Sequence, residues 1–278
     1  MKKKILSMAV AAMMVMAMAA CGSAQSASQG SAEGAGSSAE SSQAQGSASG
    51  SINGDGVANA GKLVMATSAD FPPYEYHEGD KIVGIDVEIA QAIAQKMGVE
   101  LEIEDIAFDS VILEVMSGKA DLGLAGITAT EDRKANLDFS ESYTNARQLV
   151  IVQEDSPIKT VEDLEGKNLG VQTGTTGDLM ASDVKDATVE HYTKGMDAVM
   201  ALTQGKVDAV IIDSEVAKYF VKQTSGIKIL DQEFANENYV IVVKKGNAAL
   251  LNNVNAALKE LKEDGTIDSI IGKYIKAE

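Results

Sequence analysis

Two hydrophobic periods alternate along most of the chain. An apolar run at residues 63–67 is followed by Ile85, Ile89, Ile93 and Met97, one face of a helix that Gly98 can stop, and then by a second apolar stretch at 99–103. The spacing next predicts a helix over 109–116, strands at 121–125 and 148–152, and a short helix at 161–164. Further strands are expected at 169–171, 189–192, 208–212 and 239–243. This order implies an α/β protein with mostly parallel sheets and helices on both faces.

The pattern also repeats. Asp109-Ser-Val-Ile, then Gly118-Lys-Ala-Asp and an apolar strand, is echoed by Asp197-Ala-Val-Met, then Gly205-Lys-Val-Asp and another apolar strand. Two related halves would explain the echo; so would a helix-to-strand connection that simply works well, Gly supplying its left-handed cap. In such sheets ligands sit beyond the carboxyl ends of the strands, so two facing halves would share a cleft.

The first sixty residues follow neither period. Lys2, Lys3 and Lys4 precede an apolar run over 5–20, short of the roughly 20 residues a comfortable bilayer span needs, which reads as a secretory signal. The run ends in Met18-Ala19-Ala20-Cys21, which resembles the lipobox of bacterial lipoproteins with Met where that pattern usually has Leu. Cys21 would then be the lipidated first residue of the mature chain; the alternative is a plain signal with a free thiol. Residues 22–51 hold 11 Ser, 7 Ala, 6 Gly, 4 Gln and 2 Glu, so no apolar residue larger than Ala can be buried to offset ordering entropy. A flexible tether of this length spans ~30 Å. The expected organisation is therefore signal 1–20, tether 21–60, first lobe 61–146, second lobe 147–236 and a return to the first lobe over 237–278, with crossings near 144–148 and 234–239.

Composition narrows the function. The 278 residues are 45% hydrophobic and 23% charged, which supports a packed core. A net charge of −17 argues against gripping a phosphate backbone, so no nucleic-acid partner is expected. One Cys and two His exclude a Cys/His zinc site and an internal disulfide. There is no Gly-x-Ser-x-Gly elbow, no phosphate loop and no Gly-x-Gly-x-x-Gly after a strand, so no enzyme or cofactor motif is present. His77 and His191 lack a nucleophile at a recognisable spacing and read as solvated.

Arginine is the informative residue, because the chain has two, Arg133 and Arg147, against 22 lysines. Arg133 follows Gly126-Ile-Thr-Ala-Thr-Glu-Asp just past an expected strand, where a guanidinium fork can bind a carboxylate bidentately; a surface pair with Glu131 or Asp132 is the alternative. Asp213 ends the apolar strand of the second half, where it can receive an ammonium group or N-cap the next helix. Between them Gly170-Val-Gln-Thr-Gly-Thr-Thr-Gly177 offers glycines for close approach and hydroxyls, Thr173 and Thr176 among them, as donors. Phe71 and Phe108 sit at strand ends, able to cover a ligand or to pack in loop or core.

With these residues in view, blocks 66–76, 84–88, 125–133, 137–143, 170–177 and 207–213 resemble, in order, the polar amino-acid-binding proteins of bacterial ABC importers. The resemblance covers 62–277. It implies the type II periplasmic-binding-protein fold, two α/β lobes joined by two hinge strands. It further implies that Arg133 with the backbone of Gly126 and Thr128 holds an α-carboxylate, that Asp213 holds the α-ammonium, that Thr176 adds a contact across the cleft, and that Phe71 and Phe108 flank the side chain. Ser68 stands where many relatives have Asp or Asn, with Asp70 supplying acid two positions on; Gln172 stands where glutamine binders carry Lys.

The expectation is a lipid-anchored, monomeric receptor outside the cell membrane that binds a free amino acid and delivers it to an ABC permease, touching the membrane only through Cys21. Arginine or lysine is favoured, Asp70 meeting the cationic end, with glutamine or cystine as the alternative. The competing class is a cleft enzyme of the same fold, such as a prephenate or arogenate dehydratase.

Overall fold

The structure, a computed structural model, describes residues 52–276. The expected signal, Cys21 and the tether up to Ser51 lie outside the described residues.

The first lobe is built on the strand Lys62–Thr67. Five of its six residues are buried, as a strand covered on both faces requires. It pairs in parallel with Glu100–Asp105 on one side and with Leu122–Gly123 on the other; Val242–Lys244 then adds antiparallel, followed by Leu137–Phe139. The helix Ile85–Met97 buries Ile85, Ile89, Ile93 and Met97 and ends at Gly98, as the spacing predicts. Two C-terminal helices, Ala248–Glu263 and Thr266–Tyr274, pack against it.

In the second lobe Ala209–Asp213 is buried throughout. The sheet order is Thr188–Tyr192, Asn168–Gln172, Ala209–Asp213, Thr144–Gln153 and Ile227–Ile229, with Ala235–Tyr239 on the first half of Thr144–Gln153. The echo has a physical counterpart. Gly118 and Gly205 both take left-handed backbone after their helices. Asp121 Oδ2 accepts from Val64 N (2.8 Å) and Asp208 Oδ2 from Asn168 N (2.8 Å), while each Asp donates its own N–H to the same residue's carbonyl. The repeated aspartate thus pins the start of the neighbouring strand in both lobes.

The two lobes are joined by paired strands. Thr144 to Gln148 runs antiparallel to Ala235–Tyr239, and Val240 N donates to Ile127 O of the first lobe (2.9 Å). One hydrophobic cluster runs from Leu63 and Ile89 through Tyr143, Ala146 and Tyr239 to Ile212 and Phe220, so the crossing is packed rather than exposed.

Three differences from expectation have clear causes. The sheets are mixed, because the strands that lead out of the crossings run against their neighbours: Thr144–Gln153 is antiparallel to Ala209–Asp213, Ile227–Ile229 and Ala235–Tyr239, and Val242–Lys244 is antiparallel to both its partners. The strand foreseen at 239–243 is two, since Tyr239 pairs in the crossing and Val242 in the first sheet. Residues 52–60, placed in the tether by composition, instead lie on the first lobe: Ala58 N donates to Asp121 Oδ1 (2.7 Å), Asn247 Nδ2 to Gly56 O (2.8 Å), and Ile52 and Val57 pack on the core. Among the described residues no helix is long and apolar enough to cross a membrane.

Candidate functional site

A cavity lies between the lobes, beyond the carboxyl ends of their strands. About 380 Å³ between the lining residues is not filled by protein atoms, open solvent at the mouth included. Arg133, Gly126, Phe71 and Phe108 line it from the first lobe, Asp213, Thr176 and Gln172 from the second, and Gln148 and Tyr239 from the crossing strands.

Arg133 belongs to the one-turn helix Glu131–Lys134, whose N-cap Thr130 accepts from its backbone N–H. Its guanidinium donates from Nη1 to Thr128 O (2.7 Å) and from Nη2 to Gly174 O of the opposite lobe (3.0 Å). The guanidinium carbon stands 5.8 Å from the centre of the Phe108 ring. Neither surface pair allowed by spacing forms; the Glu131 carboxylate is taken by Lys134. Burial pulls the guanidinium below its ordinary range, with Glu237 and Tyr239 opposing that.

Gly126 forms the floor beside Phe71. Its φ is +55°, and a Cβ there would lie 2.8 Å from Phe71 Cε1, so only glycine fits. Its N–H donates to Asp86 Oδ2 (2.9 Å). That amide, expected on a ligand carboxylate, is therefore already engaged from behind.

Asp213 is 1% exposed. Oδ1 caps the helix Ser214–Gln223, accepting from Glu215 N (2.8 Å) and Val216 N (3.1 Å), while Oδ2 accepts from Tyr239 Oη (3.0 Å). Of the two readings left open by spacing the cap is formed, and the same carboxyl also lines the cavity. Burial pushes it up to about 7, against the pull of the cap N–H groups and the Tyr239 hydroxyl.

Other expected residues stand beside the cavity rather than on it. Asp70 and Ser68 line a neighbouring cavity with Asp105, Thr193 and Lys194. Asp70 Oδ1 accepts from Ser68 Oγ (3.2 Å) and from Gln172 Nε2 (3.4 Å), so Gln172 bridges the lobes from the main cavity to Asp70. Burial raises the Asp70 carboxyl; Ser68, Lys194 and Gln172 act the other way. The reason for its displacement is strand geometry: Asp70 and Phe71 are successive residues of one strand and face opposite sides. Thr173 spends its hydroxyl on Tyr192 O (3.1 Å), and Thr128 donates its own to Glu237 Oε2 (3.1 Å). Both hydroxyls are thereby drawn away from the cavity.

Sequence reasoning missed Gln148, Tyr239 and Glu237. Gln148 Nε2 donates to Glu237 Oε2 (2.9 Å), tying the two crossing strands behind Thr128. A polar residue opening an apolar run at Gln148-Leu-Val-Ile-Val was the available signal, because a buried amide needs partners. His77 and His191 lie half-exposed against Asp105 and Asp178, and no metal-binding cluster occurs among the described residues.

Residues 63–277 match the model of the bacterial extracellular solute-binding proteins, family 3. The chain belongs to this family. It is 34% identical over 222 residues to the arginine-binding extracellular protein ArtP of Bacillus subtilis, covering 78% of this chain and 87% of ArtP. A crystal structure of the substrate-binding protein of an amino acid ABC transporter superimposes with a TM-score of 0.74 at 39% identity, over 78% of this chain and 100% of that one. An ancestral arginine-binding protein bound to arginine gives 0.74 at 41%, over 77% and 98%. The fold expected from the resemblance, two α/β lobes of the type II class joined by two hinge strands, is the fold of these relatives, and the family is one of binding proteins rather than enzymes.

Proposed function

We propose that this protein is the receptor of a bacterial amino-acid ABC importer, with arginine its preferred ligand. One observation carries the reading: the same interlobe cavity is lined by a half-buried guanidinium from one lobe and a buried carboxyl from the other, complementary to the two charges of an α-amino acid. In this reading the Arg133 fork and the Thr128 amide take the α-carboxylate. Asp213 takes the α-ammonium, joined by the Gly126 carbonyl, since the Gly126 N–H is engaged with Asp86. Phe71 and Phe108 flank the side-chain stem, and its far end reaches Gln172 and, past it, Asp70. Thr176 closes from the second lobe.

The relatives named for arginine support that preference. Lipidation at Cys21, a place on the outer face of the cell membrane, a permease partner and a monomeric state complete the proposal. Thermal unfolding of residues 52–278 with arginine, lysine, glutamine, histidine and cystine tests it. Arginine should give the largest shift, a ligand at a hundredfold excess over its Kd adding about 2.7 kcal/mol. No shift with any of the five would refute the reading.

A further inference from the structure

Behind the cavity floor lies a pair of acids outside the site just described. Glu75 opens the strand Glu75–Glu78 and Asp86 lies in the first turn of Ile85–Met97; both are 0% exposed. Asp86 Oδ2 is well served, accepting from Gly126 N (2.9 Å) and Tyr143 Oη (2.9 Å). Asp86 Oδ1 and both Glu75 oxygens are buried with no hydrogen-bond donor. Two ionised carboxylates cannot share such a site, because desolvation and mutual repulsion both act against the second charge. A single proton removes the difficulty: a Glu75 carboxylic acid donating to Asp86 Oδ1 satisfies two of the three orphan oxygens and leaves one charge, on the acid that holds Gly126.

We infer that Glu75 and Asp86 share one proton, and that this pair is a positioning device which holds the Gly126 amide, and so the cavity floor against Phe71, in the shape the ligand needs. The inference rests on the amino-acid-binding reading of the cavity. The groups around the pair divide the roles: the acids Asp70 and Asp213 favour a proton on Glu75, while the Gly126 N–H and the Tyr143 hydroxyl favour the charge on Asp86, and Tyr74 nearby is a neutral phenol. Burial first, and then the Asp86 charge, push Glu75 well above the ordinary carboxylate range; burial raises Asp86 too. The folded values lie above the unfolded ones, so the contribution of the pair is complete at acid pH and is lost as pH rises through the folded value. Loss of the proton sets two charges against each other beneath Gly126 and loosens its grip.

The test compares the wild type with Glu75→Gln, which keeps a donor to Asp86 and cannot ionise. Calorimetric titration with L-arginine, or with whichever of glutamine, histidine and cystine gives the largest thermal shift, is run from neutral pH upward to the alkaline limit of the folded protein. Titration of Asp213 and of the ligand affects both proteins alike. The wild type should lose affinity relative to the variant by roughly tenfold across this range, the worth of about one hydrogen bond. Parallel profiles would overturn the inference. A second readout needs neither ligand nor a folded variant: ligand-free wild type at neutral pH should show the infrared carbonyl band of a buried protonated carboxyl, shifted by ¹³C-labelling of glutamate. Its absence would overturn the inference while leaving the ligand reading intact; failure of every amino acid to bind, with the band present, would strike the ligand reading alone.

Discussion

Replacing Arg133 by Lys separates charge from geometry. The guanidinium offers two arms, now on Thr128 O and Gly174 O at 2.7 and 3.0 Å, and under the proposed function both turn to the ligand carboxylate as a fork. Lysine keeps the positive charge but presents a point donor with no fork. A hydrogen bond to a charged group contributes about 1.5–3 kcal/mol, and each 1.4 kcal/mol is tenfold, so the loss of one arm should weaken binding by roughly 10- to 100-fold. Arg133 is half-buried and its carbonyl partners can be reached by an ammonium or by water, so the ligand-free protein should lose under about 1 kcal/mol of stability. Calorimetric titration with arginine at fixed pH and salt measures the first quantity, thermal unfolding the second. Arg147→Lys, in the exposed pair with Glu233, is the control and should bind as the wild type does. An unchanged Kd for Arg133→Lys would refute the carboxylate role; an equal loss of binding and folding would assign the residue to stability instead.

Four further outcomes are expected. Asp213, raised to about 7 in the cavity, should lose its proton when an ammonium binds. Affinity should therefore rise as pH increases through about 7, and below that pH the binding enthalpy should vary with the ionisation enthalpy of the buffer; buffer-independent enthalpies would exclude Asp213 as the acceptor. The same raised value means that the ligand-free protein loses stability as pH rises through about 7. Saturating ligand should shrink the small-angle scattering radius as the lobes close on the crossing strands, and identical curves would count against closure. Asp70→Asn should weaken arginine and lysine several-fold more than glutamine, while Lys194→Met, which removes the cation acting on Asp70, should do the reverse; equal effects on all three ligands in competition binding would remove Asp70 from selectivity.

The sequence revealed those parts of the fold in which one residue's burial dictates its neighbours'. Lys62–Thr67 and Ala209–Asp213 are covered on both faces and so read as unbroken apolar runs, and Ile85–Met97 buries one stripe at helical spacing. Strands that end for reasons outside themselves were misjudged. Leu122–Gly123 is shorter than its apolar run because Gly126 turns the chain into the cavity, and the run near Tyr239 splits because the chain changes sheets at Val240 and Ile241. Helix Ala248–Glu263 was missed although Leu250, Val254, Ala257, Leu258 and Leu261 keep the helical period and Asn247 caps it. The segment at 52–60 was beyond composition altogether. What holds it are bonds to residues far along the chain, such as Asn53 N to Asn253 Oδ1 (3.2 Å), two hundred positions away.

Legibility of the site divides along a similar line. Arg133 stands out by rarity and Asp213 by its place at a strand end, both properties of a single position. Asp70 misled because closeness in sequence to Phe71 was taken as closeness to the cavity, whereas strand alternation sends neighbours to opposite faces. Its charge is nonetheless not lost to the cavity, because Gln172, 4% exposed, lines the main space and donates to Asp70 across the lobes. Under the proposed function this makes Gln172 the residue through which a ligand's far end meets the acid. A guanidinium is long and planar enough to displace the Gln172 amide from Asp70 and to bond both at once, whereas the glutamine side chain ends in an amide that can only exchange with it. Discrimination between the two ligands then follows from reach and donor count, while the buried acids Asp86 and Glu75 act at the other side, on the floor at Gly126. Their role could not be read from sequence, since it depends on which oxygen of each carboxyl is left without a donor.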